Sequence, residues 1–528
     1  MIHRLRAAAR AHAPELLLAL VLLVAAAVRL GSIRFALPHV YHPDEDALVL
    51  PALNIVKTGD LNPLRMDYGS FFVYLMAVVH LLVYLQQART GRIASVADLA
   101  IPERGWYPAV YPNPEYVLAG RLLSVLFGLI AIILIYMLAT RLGNRRQGLI
   151  AAALAAVVPD LVVHSHYAMT DMALATMATL ALYLLVRAYD TWAGGSPWPY
   201  IGAGFVCGLA ASTKFTGALL VAPLLLVPLL RVRRLDDALS FRVVGGVAAM
   251  AAGFLAATPY ALLDLPKFVH YTGYVLRNYN RPGYVGQGAT WRWQLNYLFT
   301  DRNAALVFPA AAGLLLSLRR WGRRGWIVNS FAFLVLLTAS TTSIRESRTW
   351  LPVAPIACLW AALALDLLWL WFGRRLGRSE RAAAFGVVLL LVFLPLLDQT
   401  VRANRNLAGP DVRTLVADWI HSHVPPGSVV AFDRFPANLN PDGWPVALIF
   451  GHYMEDLDWY TARNVRYLVA SDVIHSDDRL SAEDMARFRA LTNQLCLVQT
   501  ITGPFLAAPD RTYWIYELPP CDTGTDGN

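Results

Sequence analysis

The chain has 528 residues, of which 57% are hydrophobic and 15% charged, and its mean hydropathy is +0.46. Soluble domains carry about 25% charged residues, so this composition excludes an ordinary cytosolic enzyme, a disordered chain and a small disulfide-stabilised scaffold. The net charge of +9 would also suit a nucleic-acid-binding protein. However, only three lysines occur, and arginine supplies 42 of the 45 basic residues, in clusters between long apolar stretches. This pattern indicates an integral membrane protein whose orientation is set by arginine.

Eleven apolar stretches predict membrane-spanning helices, because a helix needs about 20 apolar residues to cross a bilayer core. No stretch is followed by a signal-peptide cleavage pattern, so we interpret the first one as a retained helix. The sequence therefore predicts a polytopic α-helical membrane protein with about 11 transmembrane helices. The predicted spans are 14–33, 116–140, 147–163, 171–188, 199–213, 216–230, 242–260, 303–318, 326–343, 351–372 and 382–398.

Five arginine clusters predict the orientation of these helices in the plasma (inner) membrane. With the clusters in the cytoplasm, the N-terminus is cytoplasmic and the C-terminal region lies outside. Residues 70–87 are apolar enough to form a twelfth span. A crossing there would place most later arginines outside, so we favour an interfacial or hairpin helix within a long external loop, residues 34–115. The clusters are Arg4/Arg6/Arg10, Arg141/Arg145/Arg146, Arg231/Arg233/Arg234/Arg242, Arg319/Arg320/Arg323/Arg324 and Arg374/Arg375/Arg378/Arg381.

The composition becomes polar and mixed after residue 398, which predicts two domains: a membrane domain, 1–398, and a small extracytoplasmic α/β domain, 399–528. In the second domain, Cys496 and Cys521 could form a disulfide in an oxidising compartment. Cys207 and Cys358 lie in apolar stretches and are predicted packing residues. The predicted elements are a helix over 411–421, strands over 428–432, 466–470, 495–500 and 513–518, and a capping box from Ser481 to Asp484.

Candidate functional residues lie at the predicted external ends of the spans. An acidic segment, Tyr41-His-Pro-Asp-Glu-Asp46, directly follows the first span. Asp171 begins the fourth, Lys214 lies in a turn between the fifth and sixth, and Arg345 and Arg348 follow the ninth. Each has an ordinary explanation alone: a solvated loop, a helix-dipole acid, a snorkelling lysine or a local ion pair. Together, acids and cations on one side of the membrane suit an anionic lipid-linked substrate.

In its order of motifs, the chain resembles the GT-C glycosyltransferases of the dolichyl-phosphate-mannose–protein mannosyltransferase type (family 39), whose bacterial members include the aminoarabinose transferases of lipid A. The resemblance covers about residues 10–360, and the Asp-Glu pair of the first external loop is its most specific element. Thr349 departs from the aromatic residue that many relatives have after the arginine. The motifs are Pro43-Asp44-Glu45, Gly59-Asp-Leu-Asn62-Pro63, Tyr68-Gly-Ser-Phe, Tyr167-Ala-Met-Thr-Asp171, Thr213-Lys214-Phe-Thr-Gly217 and Arg348-Thr-Trp-Leu-Pro352.

The resemblance implies an inverting transfer of sugar from a polyprenyl-phosphate carrier to an acceptor on the extracytoplasmic face. The acceptor would be a glycan, a lipid or a protein, and membrane lipid but no nucleic acid is expected as a partner. By analogy Asp44 is the general base, because a carboxylate can deprotonate the attacking hydroxyl. The other implied site residues are Glu45, which orients sugar or acceptor, Asp171, which supports Asp44, the phosphate-binding Lys214, Arg345 and Arg348, and the substrate-binding Tyr68 and His166.

The resemblance leaves metal dependence open, since some GT-C enzymes need a divalent metal and others do not. His42, His164 and His166 are candidate ligands, although a His-x-His pair in a loop is more often ordinary polar surface. The aromatic loop 261–302 would either stack on sugar rings or form an interfacial belt. Three alternatives remain: a transporter or flippase of lipid-linked sugars, a polymerase or ligase of such sugars, and a structural membrane protein. A transporter typically shows inverted repeats, and the sequence shows no repeat.

Overall fold

The computed structural model shows a bundle of apolar helices followed by a small mixed sheet with flanking helices. It describes residues 13–63, 65–102, 109–231, 240–280, 290–433, 436–439, 444–448, 455–472 and 482–519. Several predicted features lie outside the described residues: Arg4, Arg6, Arg10, Arg233, Arg234, Ser481 and Cys521.

Each predicted span coincides with one or two helices of the bundle. These helices pack their apolar faces against one another and bury them. The helices before the first long connection are α1 Ala13–Leu30, α2 Pro43–Thr58, α3 Phe71–Arg89, α4 Glu115–Leu142, α5 Arg145–Val157, α6 Pro159–Val163, α7 Thr170–Asp190, α8 Trp198–Thr213 and α9 Val221–Leu229. They are followed by α10 Phe241–Ala257, α11 Tyr260–Leu263, α12 Leu265–Tyr279, α13 Thr290–Thr300, α14 Ala304–Arg320, α15 Arg323–Thr341, α16 Ala354–Arg375 and α17 Arg378–Ala408.

Two predicted spans are interrupted, and one helix is longer than predicted. The span 147–163 divides into α5 and α6, because Pro159 lacks a backbone donor and holds the preceding Val158 in an extended conformation. The span 216–230 begins as a 3₁₀ turn over Phe215–Leu220. Helix α17 continues to Ala408, past the predicted domain boundary at residue 398, and therefore connects the two domains directly.

Among the described residues, six helices are long and apolar enough to cross a membrane by length and composition. The count of about eleven spans therefore stays a prediction, although apolar helices are present at all eleven places. The six are the helical stretches Ala13–Leu30, Phe71–Arg89, Glu115–Leu142, Thr170–Asp190, Leu351–Arg375 and Arg378–His423.

The predicted arginine clusters within the described residues gather at one end of the bundle. Asp190, at the end of α7, pairs with Arg141 of α4 at 2.9 Å and with Arg324 of α15 at 2.7 Å. The opposite end holds the first residues of α4 and α7 and the last residues of α8 and α10, and we call it the site end. The described arginines of the other four clusters are thus on one side; the position of Arg4, Arg6 and Arg10 and the compartment that this side faces stay predictions. Further contacts at the arginine end are Arg146 with Asp366, Arg231 with Tyr189 and Arg381 with Trp369.

Helix α3, the possible twelfth span, contacts the site end at both of its termini. The backbone N–H of Ser70, just before α3, donates to the Thr258 hydroxyl at 3.2 Å. Near its other terminus, Gln87 accepts a 2.9 Å hydrogen bond from the Tyr116 hydroxyl, and His80 contacts the Tyr116 carbonyl at 2.9 Å. A helix that crossed alongside α4 would have its termini at opposite ends of the bundle. This contact pattern favours the predicted interfacial position.

The C-terminal region forms three helices and a five-stranded sheet within the described residues. The elements are α18 Val412–His423, α19 Leu457–Thr461, α20 Ala482–Thr492, β3 Val429–Phe432, β4 Val446–Leu448, β5 Val465–Ser471, β6 Cys496–Phe505 and β7 Ala508–Glu517; His39–Val40 and Ala109–Val110 form β1 and β2 at the site end.

The strand order of the five-stranded sheet is β4-β3-β5-β7-β6. Strand β3 pairs in parallel with β4 and β5, whereas β7 pairs antiparallel with β5 and β6. All four predicted strands and the predicted helix are present, and β4 is an addition. Cys496 at the start of β6 is disulfide-bonded.

Candidate active site

Asp44 lies in the first turn of α2, at the site end of the bundle. Helix α2 begins with Pro43, and the preceding His42 caps it by accepting the Asp44 N–H on Nδ1 at 3.3 Å. Arg348 donates from Nη1 to Oδ2 of Asp44 and from Nε to Glu346. The side chains of Asp44 and Arg348 are 26% and 22% exposed. The fold therefore joins two predicted site residues that lie 304 positions apart in the sequence.

The surroundings of Asp44 keep its carboxyl group ionised. Burial alone would raise the pKa of Asp44, but the neighbouring Arg348 and His42 lower it below the ordinary value of 3.8. Burial acts in the opposite sense on Arg348, and Asp44 and Glu346 outweigh it, so the pKa of Arg348 is raised. Among the described residues, no donor contacts Oδ1 of Asp44. This oxygen is therefore available to accept a proton from a substrate hydroxyl.

Lys214 and Asp171 form a second ion pair at the site end. Lys214 Nζ lies 2.7 Å from Asp171 Oδ1 and 6.0 Å from the ring centroid of Tyr68. Burial alone would lower the pKa of Lys214, but Asp171 and Tyr279 raise it, so the ammonium stays charged. Oδ2 of Asp171 is buried and has no hydrogen-bond partner among the described residues. The pair thus has unused hydrogen-bonding capacity on both members.

Two glycines allow the chain to bring Lys214 and Tyr68 together. Gly217 closes the turn after α8 by donating its N–H to the Lys214 carbonyl at 2.8 Å, and a Cβ there would overlap the backbone of Ala210. Gly69 packs directly on the backbone of Ser212, where a Cβ would overlap the Ser212 carbonyl. Only glycine fits either approach. This explains the lysine–glycine spacing that the sequence motif shows.

A cavity of about 270 Å³ is lined by Lys214, Arg348 and Tyr68, and we call it the donor cavity; Asp44 and Asp171 do not line it. Two acids, Asp67 and Glu346, and several neutral polar side chains also line it. The other lining residues are apolar, with aliphatic side chains from α7, α12 and α15 among them, so charged groups and apolar surface meet in one cavity. This combination suits an amphiphile with an anionic headgroup. The aliphatic lining residues include Leu174, Leu219, Val275, Val335, Ala339 and Ile344.

Glu45 and His166 are placed away from the donor cavity. The Glu45 carboxylate is fully buried and accepts from Arg121 at 2.7 and 2.9 Å and from the Ala168 N–H at 3.0 Å. His166 is also buried, and its Nδ1 contacts the Val162 carbonyl at 2.9 Å. Neither residue lines the cavity among the described residues, so the geometry gives no support to direct substrate contact. Arg345 is half-buried and does not line this cavity either.

Asp160 is a buried acid that the sequence reasoning did not select. Its carboxylate accepts hydrogen bonds from Arg302 at 2.7 Å, Tyr297 at 2.7 Å, Asn303 at 2.8 Å and Trp350 at 2.7 Å. It therefore anchors the segment that carries Arg348. The available signal was an acid inside an otherwise apolar run, which is costly unless it has a specific partner.

The C-terminal domain contacts the chain directly before Asp44. Arg413 of α18 donates to the Tyr41 carbonyl at 3.3 Å, and its guanidinium carbon lies 4.1 Å from the centroid of the Tyr41 ring. The Tyr41 and Thr414 hydroxyls are 2.8 Å apart, and Asp411 pairs with Arg413 at 2.7 Å. Nothing in the sequence linked these regions. The contacts show that the small domain helps to position the start of α2.

The histidines at the site end do not gather around one point. His42 and His164 both pack against the ring of Tyr167, with centroids 4.8 and 6.2 Å away. Burial lowers the pKa of His164 to about 4, despite opposing contributions from Asp171 and other neighbours. Within the described residues, no group of three or more His, Cys, Asp or Glu could hold a metal ion. The three candidate histidine ligands are therefore not brought together, and metal dependence stays open.

Known proteins share this fold. Residues 105–275 match the family model of dolichyl-phosphate-mannose-protein mannosyltransferase. The archaeal oligosaccharyltransferase AglB from Archaeoglobus fulgidus, in complex with an inhibitory peptide and a dolichol-phosphate, has a TM-score of 0.55 at 13% identity, covering 88% of this chain and 70% of that one. ArnT from Cupriavidus metallidurans bound to undecaprenyl phosphate has a TM-score of 0.52 at 16% identity, with 95% and 97% covered. No curated protein matches the sequence.

The chain therefore has the fold of these glycosyltransferases. The family model matches about a third of the chain, which contains the Tyr167–Asp171 and Thr213–Gly217 motifs but neither Pro43-Asp44-Glu45 nor the Arg348 motif. A further crystal structure of the Archaeoglobus fulgidus oligosaccharyltransferase, complexed with Zn and sulfate, matches with a TM-score of 0.54 at 14% identity and covers 86% of this chain and 68% of that one.

Proposed function

We propose that the protein transfers a sugar from a polyprenyl-phosphate carrier to a hydroxyl group of an acceptor, with inversion at the anomeric carbon. One observation carries the proposal: Lys214 and Arg348 line a cavity that is also lined by a group of aliphatic side chains. A phosphate that bridges the two cations would have its polyprenyl chain beside the aliphatic side chains. The carriers named for two structural relatives, undecaprenyl phosphate and dolichol-phosphate, have this chemistry.

In the proposed reaction, Oδ1 of Asp44 accepts the proton of the acceptor hydroxyl as its oxygen attacks the anomeric carbon. The bond from that carbon to the phosphate oxygen breaks, and the electron pair stays with the phosphate. Lys214 and Arg348 stabilise the added negative charge on the leaving phosphate. Direct displacement by a single nucleophile gives the inverted product.

Three other predicted site residues support the reacting groups, and each does so in a different way. Asp171 keeps Lys214 charged and oriented through the 2.7 Å ion pair. Tyr68 lines the cavity beside Lys214 and provides a ring and hydroxyl for the sugar. Glu45 acts through Arg121 and Ala168 to hold α2 against the segment before α7, which makes it a positioning residue.

The direct test is binding of undecaprenyl phosphate to the purified full-length protein, followed by a screen of polyprenyl-phosphate sugars for release of carrier phosphate. Lys214→Gln and Arg348→Gln should each weaken carrier binding at least tenfold, because one charged hydrogen bond contributes about 1.5–3 kcal/mol. Lys57→Gln is the matched control, since its ammonium binds the Leu99 carbonyl at 2.6 Å and does not line the cavity. Equal affinity in all three variants would refute the assigned phosphate site.

A further inference from the structure

A second, larger cavity of about 1020 Å³ lies between the helix bundle and the C-terminal domain, and we call it the interdomain cleft. Its walls come from α13 and the residues directly after it, from the C-terminal third of α17, and from the turn after β6 with the first residues of β7. Asn406 of α17 donates to the Ala508 carbonyl at 2.8 Å, which holds that turn against the bundle. The cleft is therefore formed by both domains and would not exist in either alone.

The lining of the interdomain cleft is rich in planar polar groups. Asn296, Gln399 and Asn406 contribute amides, and Trp293 contributes an aromatic ring that stacks on Tyr297 at 5.3 Å between centroids. Three arginines and two aspartates also line it, so the charge is mixed. Amides, carboxylates and guanidinium groups match the paired hydroxyls of a sugar, and an aromatic ring packs on its C–H face. The charged members are Arg302, Arg402, Arg511, Asp301 and Asp510.

The interdomain cleft and the donor cavity share a wall. Ser347 lines the cleft, whereas the next residue, Arg348, lines the donor cavity and pairs with Asp44. Tyr297 and Arg302 also line the cleft, and both donate to Asp160, which in turn holds Trp350. A molecule in the cleft would thus lie against the segment that presents Arg348 to the carrier phosphate.

We infer that the interdomain cleft binds the acceptor and that this acceptor is a saccharide with free hydroxyl groups. The inference rests on the proposed transferase function and deepens it by assigning the acceptor a site and a chemical class. The volume of the cleft, several times that of the donor cavity, accommodates more than one sugar residue. Its three amide side chains and its small number of aliphatic side chains distinguish it from the donor cavity.

A blocking experiment can test the inference without knowledge of the natural acceptor. Thr300→Cys places a thiol in the cleft, and Thr461→Cys is the matched control on α19. Both threonines are exposed, end their helices and donate Oγ to the carbonyl four residues earlier. Cys207 and Cys358 are fully buried and Cys496 is disulfide-bonded, so they leave the engineered thiol as the reactive one among the described cysteines.

Full-length protein with undecaprenyl phosphate would be labelled with a bulky maleimide dye and applied to an array of bacterial surface oligosaccharides. We expect labelled Thr461→Cys to bind the same glycans as the wild type, and labelled Thr300→Cys to lose at least tenfold in signal relative to its own unlabelled form. Absence of any bound glycan, or equal binding by both labelled variants, would overturn the inference. Undecaprenyl-phosphate binding is measured in parallel, so a failure of the donor site is recognised separately.

Discussion

The substitution Asp44→Asn tests the proposed general base while preserving the size and shape of the side chain. A positioned base contributes about 10² to 10⁴ in rate, which corresponds to about 3–5.5 kcal/mol of activation free energy. We expect turnover to fall by this factor. The fold should persist, because both members of the Asp44–Arg348 pair are more than one-fifth exposed and partly exposed pairs contribute less than about 1 kcal/mol.

The structure also predicts what this substitution does to carrier binding. Arg348 is held by Asp44 and Glu346, and a carrier phosphate would compete for the same guanidinium group. Loss of the Asp44 charge removes one competitor, so the affinity for undecaprenyl phosphate should stay equal or increase. A defect confined to turnover separates a base from a phosphate ligand, since Arg348→Gln should weaken binding as well.

The assay combines single-turnover sugar transfer with carrier binding on purified wild type, Asp44→Asn and the exposed control Asp60→Asn. Asp60 lies near the C-terminal end of α2 and accepts only from the Asn62 N–H among the described residues. Turnover of Asp44→Asn within tenfold of the wild type would refute the assignment of Asp44 as the base. Reduced carrier binding would instead show that Asp44 helps to hold the phosphate.

Three further substitutions probe the surroundings of the site. Asp171→Asn removes the charge that raises the pKa of Lys214, so burial should lower that pKa and sugar transfer should decline at alkaline pH. The kcat/KM of the wild type should stay flat between about pH 6 and 9, and parallel pH profiles of the two proteins would contradict the role of Asp171. Glu45→Gln leaves the fully buried Arg121 without a counter-charge, so the free energy of unfolding should fall by about 3–5 kcal/mol, measured as a lower thermal midpoint. The exposed control Asp398→Asn should lose less than about 1 kcal/mol, and equal midpoints of the two variants would refute the structural role of Glu45. Asp160→Asn weakens the anchor of Trp350 and should lower undecaprenyl-phosphate affinity through Arg348, and unchanged affinity would show that the Arg348 segment holds its position without it.

The sequence was sufficient to predict the helices of the bundle and the end of the bundle at which four charged site residues lie, but not the helices within 261–302 or which of the four residues pair. Asp44, Asp171, Lys214 and Arg348 were selected because they lie at the same ends of the predicted spans, and the fold brings them into two adjacent ion pairs. Helix ends on one side of a bundle are close in space, so span topology alone brings such residues near one another. The strands of the small domain were predicted from short apolar runs, although β6 ends five residues later and β7 begins five residues earlier than predicted.

The separate roles of Asp44 and Glu45 could not be predicted from sequence. Consecutive residues on a helix point about 100° apart, so Asp44 reaches Arg348 whereas Glu45 turns into the bundle toward Arg121. Arg121 lies inside an apolar span, where a charge needs a partner, but the sequence does not identify that partner. The contact of Arg413 with Tyr41 joins two regions 372 positions apart and has no local signal.

The degree of hydrogen bonding separates structural charges from those available to a substrate. Glu45 and Asp160 are fully buried, and their oxygens accept three and four hydrogen bonds respectively, so a ligand would have to displace a protein donor.

Lys214 differs from these two acids. It has three N–H donors, of which one binds Asp171 among the described residues. A buried ammonium with unused donors is costly unless an anion completes it, and its other donors are beside a cavity. A phosphate oxygen would satisfy Lys214 and Arg348 together, which is why we assign the incompletely bonded groups, and not the most deeply buried ones, to the chemistry.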